Sequence, residues 1–206
     1  WPNMTSLCDN YKEMYEAGEI LPGTEVYNAY SKTARDIYWK QAYEGWFSHD
    51  IDGWWCDSSE AFTPEWNHST RKPHPYEMWK EFIEETEKVM PAQKANTYGL
   101  YHARGIYEGQ RAFTNQKRVL NLTRSGYAGS QRYGTVLWSG DIEASWTSLK
   151  NQIVAGMNFC ASGMPYWTLD IGAFFVKKGR EWYWNGDYDD TLNNNGYKEL
   201  YVRWFQ

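Results

Sequence analysis

Residues 53–60, Gly-Trp-Trp-Cys-Asp-Ser-Ser-Glu, contain the pattern from which the fold of this chain is inferred. A short apolar run over 51–56 ends within this stretch, and Asp57 follows it directly. Three further runs of the same kind occur along the chain, at 119–123, 135–138 and 165–169. Short apolar runs are typical of parallel strands that are buried on both faces. The chain is therefore expected to contain a parallel sheet.

Each of the four predicted strands is followed by a polar side chain. Asp57 follows the first run and Arg124 follows the second, while Asp141 and Asp170 follow the third and the fourth. In a β/α barrel the carboxyl ends of the strands meet at one face, and the active site lies there. The layout therefore predicts an α/β fold in which these strands belong to a (β/α)8 TIM barrel.

Apolar side chains recur at helical spacing around these strands, which predicts helices over 33–47, 76–90 and 146–161. The connection 124–134 is barely long enough for a parallel crossover and leaves little room for a helix. A complete barrel needs about 250 residues. We therefore interpret residues 1–206 as one partial barrel catalytic domain without a second domain. It would hold the central-to-late strands, about the third or fourth to the seventh.

The composition argues against several classes of partner. The 21 basic and 26 acidic side chains give a net charge of −5, which predicts no nucleic-acid binding. No uncharged apolar stretch is long enough to span a membrane, so no membrane partner is predicted. Aromatic residues make up 18% of the chain. They fit an aromatic-rich core, which composition alone favours, or a cleft whose rings stack on sugars.

No metal or other cofactor is predicted. The three cysteines are far apart, form no metal-binding pattern and allow at most one disulfide. The four histidines also lack the spacing of zinc ligands. The acidic stretch 187–196 does not fit a calcium loop, because Thr191 and Val202 occupy the first and last ligand positions. We interpret it as a solvated loop.

Asp57 and Asp141 lie close to tryptophans, in the stretches Trp-Trp-Cys-Asp and Trp-Ser-Gly-Asp. Cleavage of a glycosidic bond uses two carboxyl groups, one that attacks the anomeric carbon and one that protonates the departing oxygen. Both aspartates are candidates for these roles, with capping of the following helix as the alternative. Arg124 is either a plain ion-pair partner, a donor to sugar hydroxyls, or a group that keeps a carboxylate ionised.

Four motifs, taken together and in order, resemble glycoside hydrolase family 31. They are GWWCDSSE at 53–60, RSGYAGSQRYG at 124–134, WSGD at 138–141 and MPYWTLDIGAFF at 164–175. The resemblance extends over residues 24–206, and the stretch 182–206 looks most similar to the α-xylosidase branch of the family. It implies a retaining α-glycosidase that needs no cofactor and that binds an oligosaccharide or another glycoside.

The resemblance also implies roles for individual residues. Asp57 matches the position of the nucleophile, and Asp141 matches that of the general acid/base. Arg124 matches the arginine that binds the sugar and supports the acid/base. The positions that match the first sugar subsite are Trp55, Trp138, Asp170 and Phe174. In a retaining enzyme the two carboxyl groups lie about 5–5.5 Å apart.

Ser58 and Ser59 stand where many α-glucosidases of this family have Met-Asn, which favours an α-xyloside over an α-glucoside as substrate. Sulfoquinovosidases and glucan lyases share the family and stay as alternatives, as does a non-catalytic carbohydrate-binding or scaffold module.

The early strand that supplies an aspartate and the late strand that supplies a histidine in this family have no counterpart in the sequence. An isolated barrel segment leaves strand edges and apolar helix faces uncovered, so we expect it to aggregate or to fold only in part, and to be inactive. The sequence does not decide whether the protein forms a homo-oligomer.

Overall fold

The computed structural model of this chain describes residues 2, 4, 6–60, 75–179 and 185–206. In chain order the helices and strands are α1 (Asp9–Glu16), α2 (Lys32–Gly45), β1 (Trp54–Cys56), α3 (Pro75–Glu87), α4 (Tyr98–Phe113), β2 (Asn121–Thr123), β3 (Thr135–Trp138), α5 (Trp146–Ala161), β4 (Trp167–Thr168) and α6 (Asn195–Phe205). The chain forms two compact units, which are Trp1–Thr63 with Glu81–Leu137, and Pro64–Lys80 with Trp138–Gln206. The prediction of one domain over 1–206 stays a prediction.

The strands β1, β2 and β3 pair in parallel, as the apolar runs predicted. Trp55 lies opposite Leu122, and Leu122 lies opposite Val136. Pairing begins later than the apolar runs do, because the amide of Trp54 donates to the carbonyl of Leu120 at 2.9 Å and the residues before it are not in the ladder. The parallel order brings the ends of β1 and β2 to the same edge of the sheet, which fixes where Asp57 and Arg124 emerge.

The connection between β2 and β3 crosses over without an α-helix. It contains only a short 3-10 helix, Ser130–Tyr133, as the limited length of 124–134 predicted. Gly134 ends this turn with φ 67°, and a Cβ there would overlap the carbonyl oxygen of Val119. Its own carbonyl accepts a hydrogen bond from the amide of Asn121 at 2.8 Å. Glycine therefore allows the chain to re-enter the sheet directly.

The three predicted helices are confirmed as α2, α3 and α5, and α5 has the predicted limits. Serine caps two of them: the hydroxyl of Ser31 accepts from the amide of Ala34 at 3.4 Å, and that of Ser145 accepts from the amide of Ser148 at 3.0 Å. The helices α1, α4 and α6 were not predicted. In α4 the reason is its glycines, which lower helix propensity but let α2 approach, because Gly109 faces the ring of Trp39 without a side chain between them.

The core of the first unit is rich in tyrosine. Tyr27 and Tyr98 are fully buried, and the hydroxyl of Tyr98 donates to the carbonyl of Tyr27 at 2.6 Å. The hydroxyl of Tyr27 is hydrogen-bonded to Nδ1 of His102 at 2.7 Å. The ring of Tyr38 stacks on that of Tyr27, with centroids 4.8 Å apart. Part of the aromatic content therefore serves the core, and His102 is a core histidine whose Nδ1 has a hydrogen-bond partner.

Acidification is expected to destabilise this core through His102. Burial lowers the pKa of its imidazole from 6.5 to about 3, so between these pH values the unfolded chain binds a proton that the folded chain does not. The stability contributed by the neutral imidazole is complete above pH 6.5 and is lost as the pH falls toward 3, by up to about 1.4 kcal/mol per pH unit. The measurement is the melting temperature of the full-length protein and of His102→Gln between pH 7 and 4.5. The variant should lose less on acidification, and equal losses would contradict the prediction.

The core of the second unit joins the segment after β3 to α6. Its buried residues are Ile142, Ala144, Tyr188, Leu200 and Trp204. The hydroxyl of Tyr197 donates to the carbonyl of Gly172 at 3.1 Å, which attaches α6 to the loop after β4. The side chain of Asn194 caps α6 by accepting from the amide of Tyr197 at 3.1 Å. The predicted solvated loop 187–196 is therefore a loop only up to Asn194, with α6 beginning at the next residue, and it is solvated only in part because Tyr188 is buried in this core.

The apolar stripe of α5 lies at the surface. The exposed residues of this stripe are Trp146, Ile153, Met157 and Cys160. Among the helices of the described residues, none combines the length and the hydrophobicity that a membrane-spanning helix requires. The predicted aggregation of the isolated segment stays a prediction, and this stripe is the surface that would cause it.

Candidate active site

Asp57 leaves the carboxyl end of β1 in a tight turn. Along the strand Trp55 is 69% exposed and Cys56 is buried, so the two side chains alternate between the faces of the sheet. Burial raises the pKa of the Cys56 thiol to about 12, which keeps this neighbour of Asp57 neutral. Ser58 has φ 51°, in the left-handed region, and its amide donates to Oδ1 of Asp57 at 2.8 Å. The turn therefore fixes the half-buried carboxylate at the strand end.

Arg124, at the end of β2, contacts three side chains of this turn. Its Nε donates to Oε1 of Glu60 at 2.6 Å, and its Nη2 donates to the hydroxyl of Ser58 at 3.2 Å. Its Nη1 lies 3.5 Å from Oδ1 of Asp57. The side chains of Asp57, Glu60 and Arg124 are each about one-fifth exposed, so these charges interact with limited screening by water.

Three hydroxyl groups lie behind this ion-pair cluster and join the two strand ends. Ser59 is fully buried, and its hydroxyl is hydrogen-bonded to those of Thr123 and Ser125. It also accepts from the amide of Ser125 at 3.2 Å. Gly99, in the first turn of α4, packs against this cluster, because a Cβ there would overlap the hydroxyl of Ser125. The turn after β1 and the turn after β2 are thus held together by buried hydrogen bonds.

No part in joining the two turns was predicted from the sequence for Ser59, Thr123 or Ser125, and Ser59 bore only on the choice of substrate. Glu60 was quoted within residues 53–60 without a role. A usable signal was present, because short hydroxyl side chains follow two strands that were predicted to be adjacent. Such side chains need partners when they are buried. Their positions at neighbouring strand ends supply these partners.

In the second unit, the segment after β3 pairs with the loop after β4. Trp138 ends β3 and is buried, and Asp141 follows it as a half-buried residue. The carbonyl of Ile142 accepts from the amides of Phe174 and Phe175 at 2.9 and 3.0 Å. The amide of Ala144 donates to the carbonyl of Phe175 at 2.8 Å. The backbone therefore brings the Phe174 loop next to the residues that follow Asp141.

The loop after β4 contains Asp170, which is half-buried and whose carbonyl accepts from the amide of Ala173 at 2.9 Å. Ala173 has φ 69°, which closes this turn. Phe174 is 59% exposed, and its ring meets that of Phe175 edge-on at 4.9 Å. An exposed ring on a backbone held by hydrogen bonds offers a fixed apolar face for stacking.

The capping interpretation of Asp141 is wrong. The residue that caps α5 is Ser145, whose hydroxyl takes the hydrogen bond of the helix N-terminus. Asp57 accepts from the amide of the next residue, whereas a helix cap accepts from the second or third residue of the helix. Residues 57–60 form a turn. Among the described helices, therefore, none is capped by Asp57 or Asp141.

The predicted site residues fall into two groups. Trp55, Asp57 and Arg124 lie in the first unit, and the second unit contains Trp138, Asp141, Asp170 and Phe174. Over the described ranges, no three His, Cys, Asp or Glu side chains are placed to hold a metal ion. The first group joins a carboxylate to a guanidinium, and the second joins a carboxylate-bearing segment to an exposed ring.

Residues 3–206 match the TIM-barrel domain of glycosyl hydrolases family 31. The chain belongs to glycoside hydrolase family 31. This membership confirms the resemblance carried by the four motifs and the predicted barrel class, of which the parallel sheet and its helices form a part.

The relatives of this family 31 chain include α-xylosidases. An α-xylosidase of Saccharolobus solfataricus is 34% identical over 206 residues, which are 100% of this chain and 25% of that protein. The GH31 α-xylosidase from Xanthomonas citri has a TM-score of 0.77 at 33% identity, covering 100% of this chain and 22% of that one. A GH31 α-xylosidase from a soil metagenome, solved in complex with xylose, has a TM-score of 0.74 at 30% identity, covering 100% and 28%. The family 31 chain thus spans about a quarter of the length of these relatives.

Proposed function

We propose that the full-length protein containing this chain hydrolyses terminal, non-reducing α-linked sugars with retention of configuration. The observation that supports this most directly is the carboxylate of Asp57, held at the end of a parallel strand with Nη1 of Arg124 at 3.5 Å. A carboxylate in this place, in a chain of glycoside hydrolase family 31, is suited to attack an anomeric carbon.

In the first step Asp57 attacks the anomeric carbon while Asp141, as the acid, gives its proton to the departing oxygen. The bond between the anomeric carbon and that oxygen breaks, and an ester between Asp57 and the sugar forms. In the second step Asp141, now a base, takes a proton from water, and the water oxygen displaces Asp57 from the sugar. This mechanism requires the two carboxyl groups to lie about 5–5.5 Å apart in the complete active site.

Arg124 would support both steps from the side of the nucleophile. Its guanidinium presents positive charge to Asp57 before attack and again when the ester breaks and the carboxylate re-forms. In the proposed site, Trp55 and Phe174 offer exposed ring faces to the sugar. Trp138 and Asp170 complete the proposed first sugar subsite.

Xylose is the sugar that we propose for this subsite, with glucose next. α-Xylosidases at 34%, 33% and 30% identity match this chain over its whole length, and one of them was solved with xylose bound. The Ser-Ser pair after Asp57 points the same way, because it differs from the Met-Asn of many α-glucosidases. Sulfoquinovosides and the lyase reaction are the other outcomes that this family allows.

The full-length protein is expected to release an aryl leaving group faster from an α-xyloside than from the matching α-glucoside. Pockets that discriminate by one small substituent differ by about 10–200-fold, so kcat/KM should favour the xyloside at least about tenfold. The measurement is initial rates on both substrates with the same aryl group. A preference for glucoside would overturn the xylose assignment and leave the reaction type intact. No turnover of either substrate would favour another sugar among those that enzymes of this family act on.

Sugar binding without turnover is the second candidate function, and the exposed rings of Trp55 and Phe174 are what favours it. A non-catalytic carbohydrate-binding module uses such rings and has no need of the Asp57 and Arg124 pair. Calorimetric titration of the full-length protein with xylose distinguishes the two functions when it is combined with the rate measurement. Binding accompanied by no turnover of any family substrate would support the module.

A further inference from the structure

The guanidinium of Arg124 contacts both carboxylates of the turn after β1, and its contact with Glu60 is shorter than its contact with Asp57. Glu60 accepts from Nε at 2.6 Å, whereas the contact between Nη1 and Asp57 measures 3.5 Å. Ser58 accepts from Nη2 at 3.2 Å. The Nε edge of the guanidinium is therefore directed to Glu60, and Asp57 meets one nitrogen at ion-pair distance.

The contact of Arg124 with Glu60 affects Asp57, because it changes how the guanidinium can bind the Asp57 carboxylate. The planar guanidinium forms two parallel hydrogen bonds to both oxygens of one carboxylate when nothing competes for it. A carboxylate held in that way at Asp57 would have its oxygens engaged by N–H groups and would attack carbon poorly. Holding Arg124 by Nε leaves Asp57 with the positive charge nearby and its oxygens largely available.

The side chain of Glu60 lowers the stability of the fold through one of its two carboxylate oxygens, so its presence needs another reason. Its Oε2 is buried, and among the described residues it has no hydrogen-bond partner. A buried carboxylate oxygen without a partner is destabilising. Among the described residues, the other oxygen of this carboxylate, Oε1, accepts from Nε of Arg124, which indicates that the side chain serves to orient the guanidinium.

We propose that Glu60 is a positioning residue that holds Arg124 away from a bidentate pair with Asp57 and thereby keeps the nucleophile reactive. The proposal rests on the proposed function, in which Asp57 attacks the sugar. The buried hydroxyl cluster of Ser59, Thr123 and Ser125 supports the arrangement, because it fixes the turn that carries Glu60 against the turn that carries Arg124.

The test is Glu60→Gln in the full-length protein, examined by crystallography and by kinetics. Glutamine keeps the shape and an acceptor for Nε but removes the negative charge. Arg124 should then move toward Asp57, and the Nη1 to Oδ1 distance of 3.5 Å should shorten to a hydrogen bond of about 2.8 Å. On the preferred substrate kcat should fall by about 10–100-fold with little change in KM. The acidic limb of the kcat/KM profile should move to lower pH, because a negative charge beside Asp57 is gone.

Glu199→Gln is the matched control. Glu199 accepts from Nε of Arg203 at 2.9 Å, which reproduces the contact of Glu60, but the pair is exposed on α6. This control should retain the wild-type kcat and pH profile.

Glu60→Asp is the second variant, because it keeps the negative charge on a side chain that is one methylene shorter. It should retain the position of the acidic limb and lose less of kcat than Glu60→Gln.

The outcomes separate this proposal from the function on which it rests. An unmoved Arg124 in Glu60→Gln, with kcat and the pH profile unchanged, overturns the positioning role even if the wild type is fully active. If Glu60→Gln does not fold, a wild-type kcat and a wild-type Arg124 position in Glu60→Asp overturn it too. A wild type without turnover overturns the proposed function, while the crystallographic shift of Arg124 still decides whether Glu60 positions it.

Discussion

Replacing Asp57 by asparagine is expected to abolish turnover by the full-length protein, with kcat reduced by at least about 10⁴-fold. Asparagine has the same shape, so the hydrogen bond from the Ser58 amide to this side chain can be kept. The amide oxygen, however, is a poor nucleophile, and no ester with the sugar can form. The measurement is single-turnover release of aryl group from the preferred glycoside, together with calorimetric binding of the sugar, which should be largely retained.

Asp52→Asn provides the control for this prediction. Asp52 lies shortly before β1, its side chain is 85% exposed, and it forms an ion pair with Lys117 at 2.8 Å. Because exposed ion pairs contribute little, this variant should keep the wild-type kcat. Residual turnover above about 1% in Asp57→Asn would show that another group is the nucleophile, and the mechanism proposed for Asp57 would then be wrong.

The sequence predicted the parallel strands because their signal is local. A short apolar run followed by a polar residue identifies each strand end without reference to the rest of the molecule. The strand limits were less well predicted, since residues 51–53 open the predicted run but lie before the first residue of β1, Trp54. Hydrogen bonding, rather than hydrophobicity, sets where a strand begins.

Helix α4 illustrates why other elements were missed. Gly99, Gly105 and Gly109 weaken its sequence signal, and each is present because something packs where a Cβ would be. Those neighbours, among them Trp39 on α2 and the hydroxyl of Ser125, come from distant parts of the chain. A glycine that serves tertiary packing cannot be distinguished from a helix breaker by its local sequence.

Part of the candidate site could be predicted because the strand ends have a local sequence signal. Adjacent parallel strands bring Asp57 and Arg124 together, and this follows from their positions after two apolar runs. The division of Arg124 between Asp57 and Glu60 could not be predicted. It depends on the turn at Ser58, whose φ of 51° directs the next residues back toward β2. A serine in the left-handed region has no recognisable sequence signature here.

Asp141→Asn is expected to affect the two steps of the reaction unequally. Without an acid, glycosides with poor leaving groups should lose about 10²–10⁴-fold in kcat/KM, the usual contribution of a general acid. An activated aryl leaving group needs no proton, so its first step should be little changed. The second step lacks its base with either substrate, so the ester on Asp57 should accumulate and an initial burst of aryl release should precede a slow steady rate.

The measurement is pre-steady-state aryl release, compared between Asp141→Asn and Asp189→Asn. Asp189 is 77% exposed and forms an ion pair with Lys178 at 3.5 Å, so its variant should show wild-type kinetics. The burst amplitude should equal the concentration of enzyme, because each molecule forms one ester before it stalls. A loss that is the same for good and poor leaving groups, without a burst, would mean that Asp141 does not transfer the proton. Because Ser145 already caps α5, such a result could not be attributed to the loss of a helix cap at Asp141.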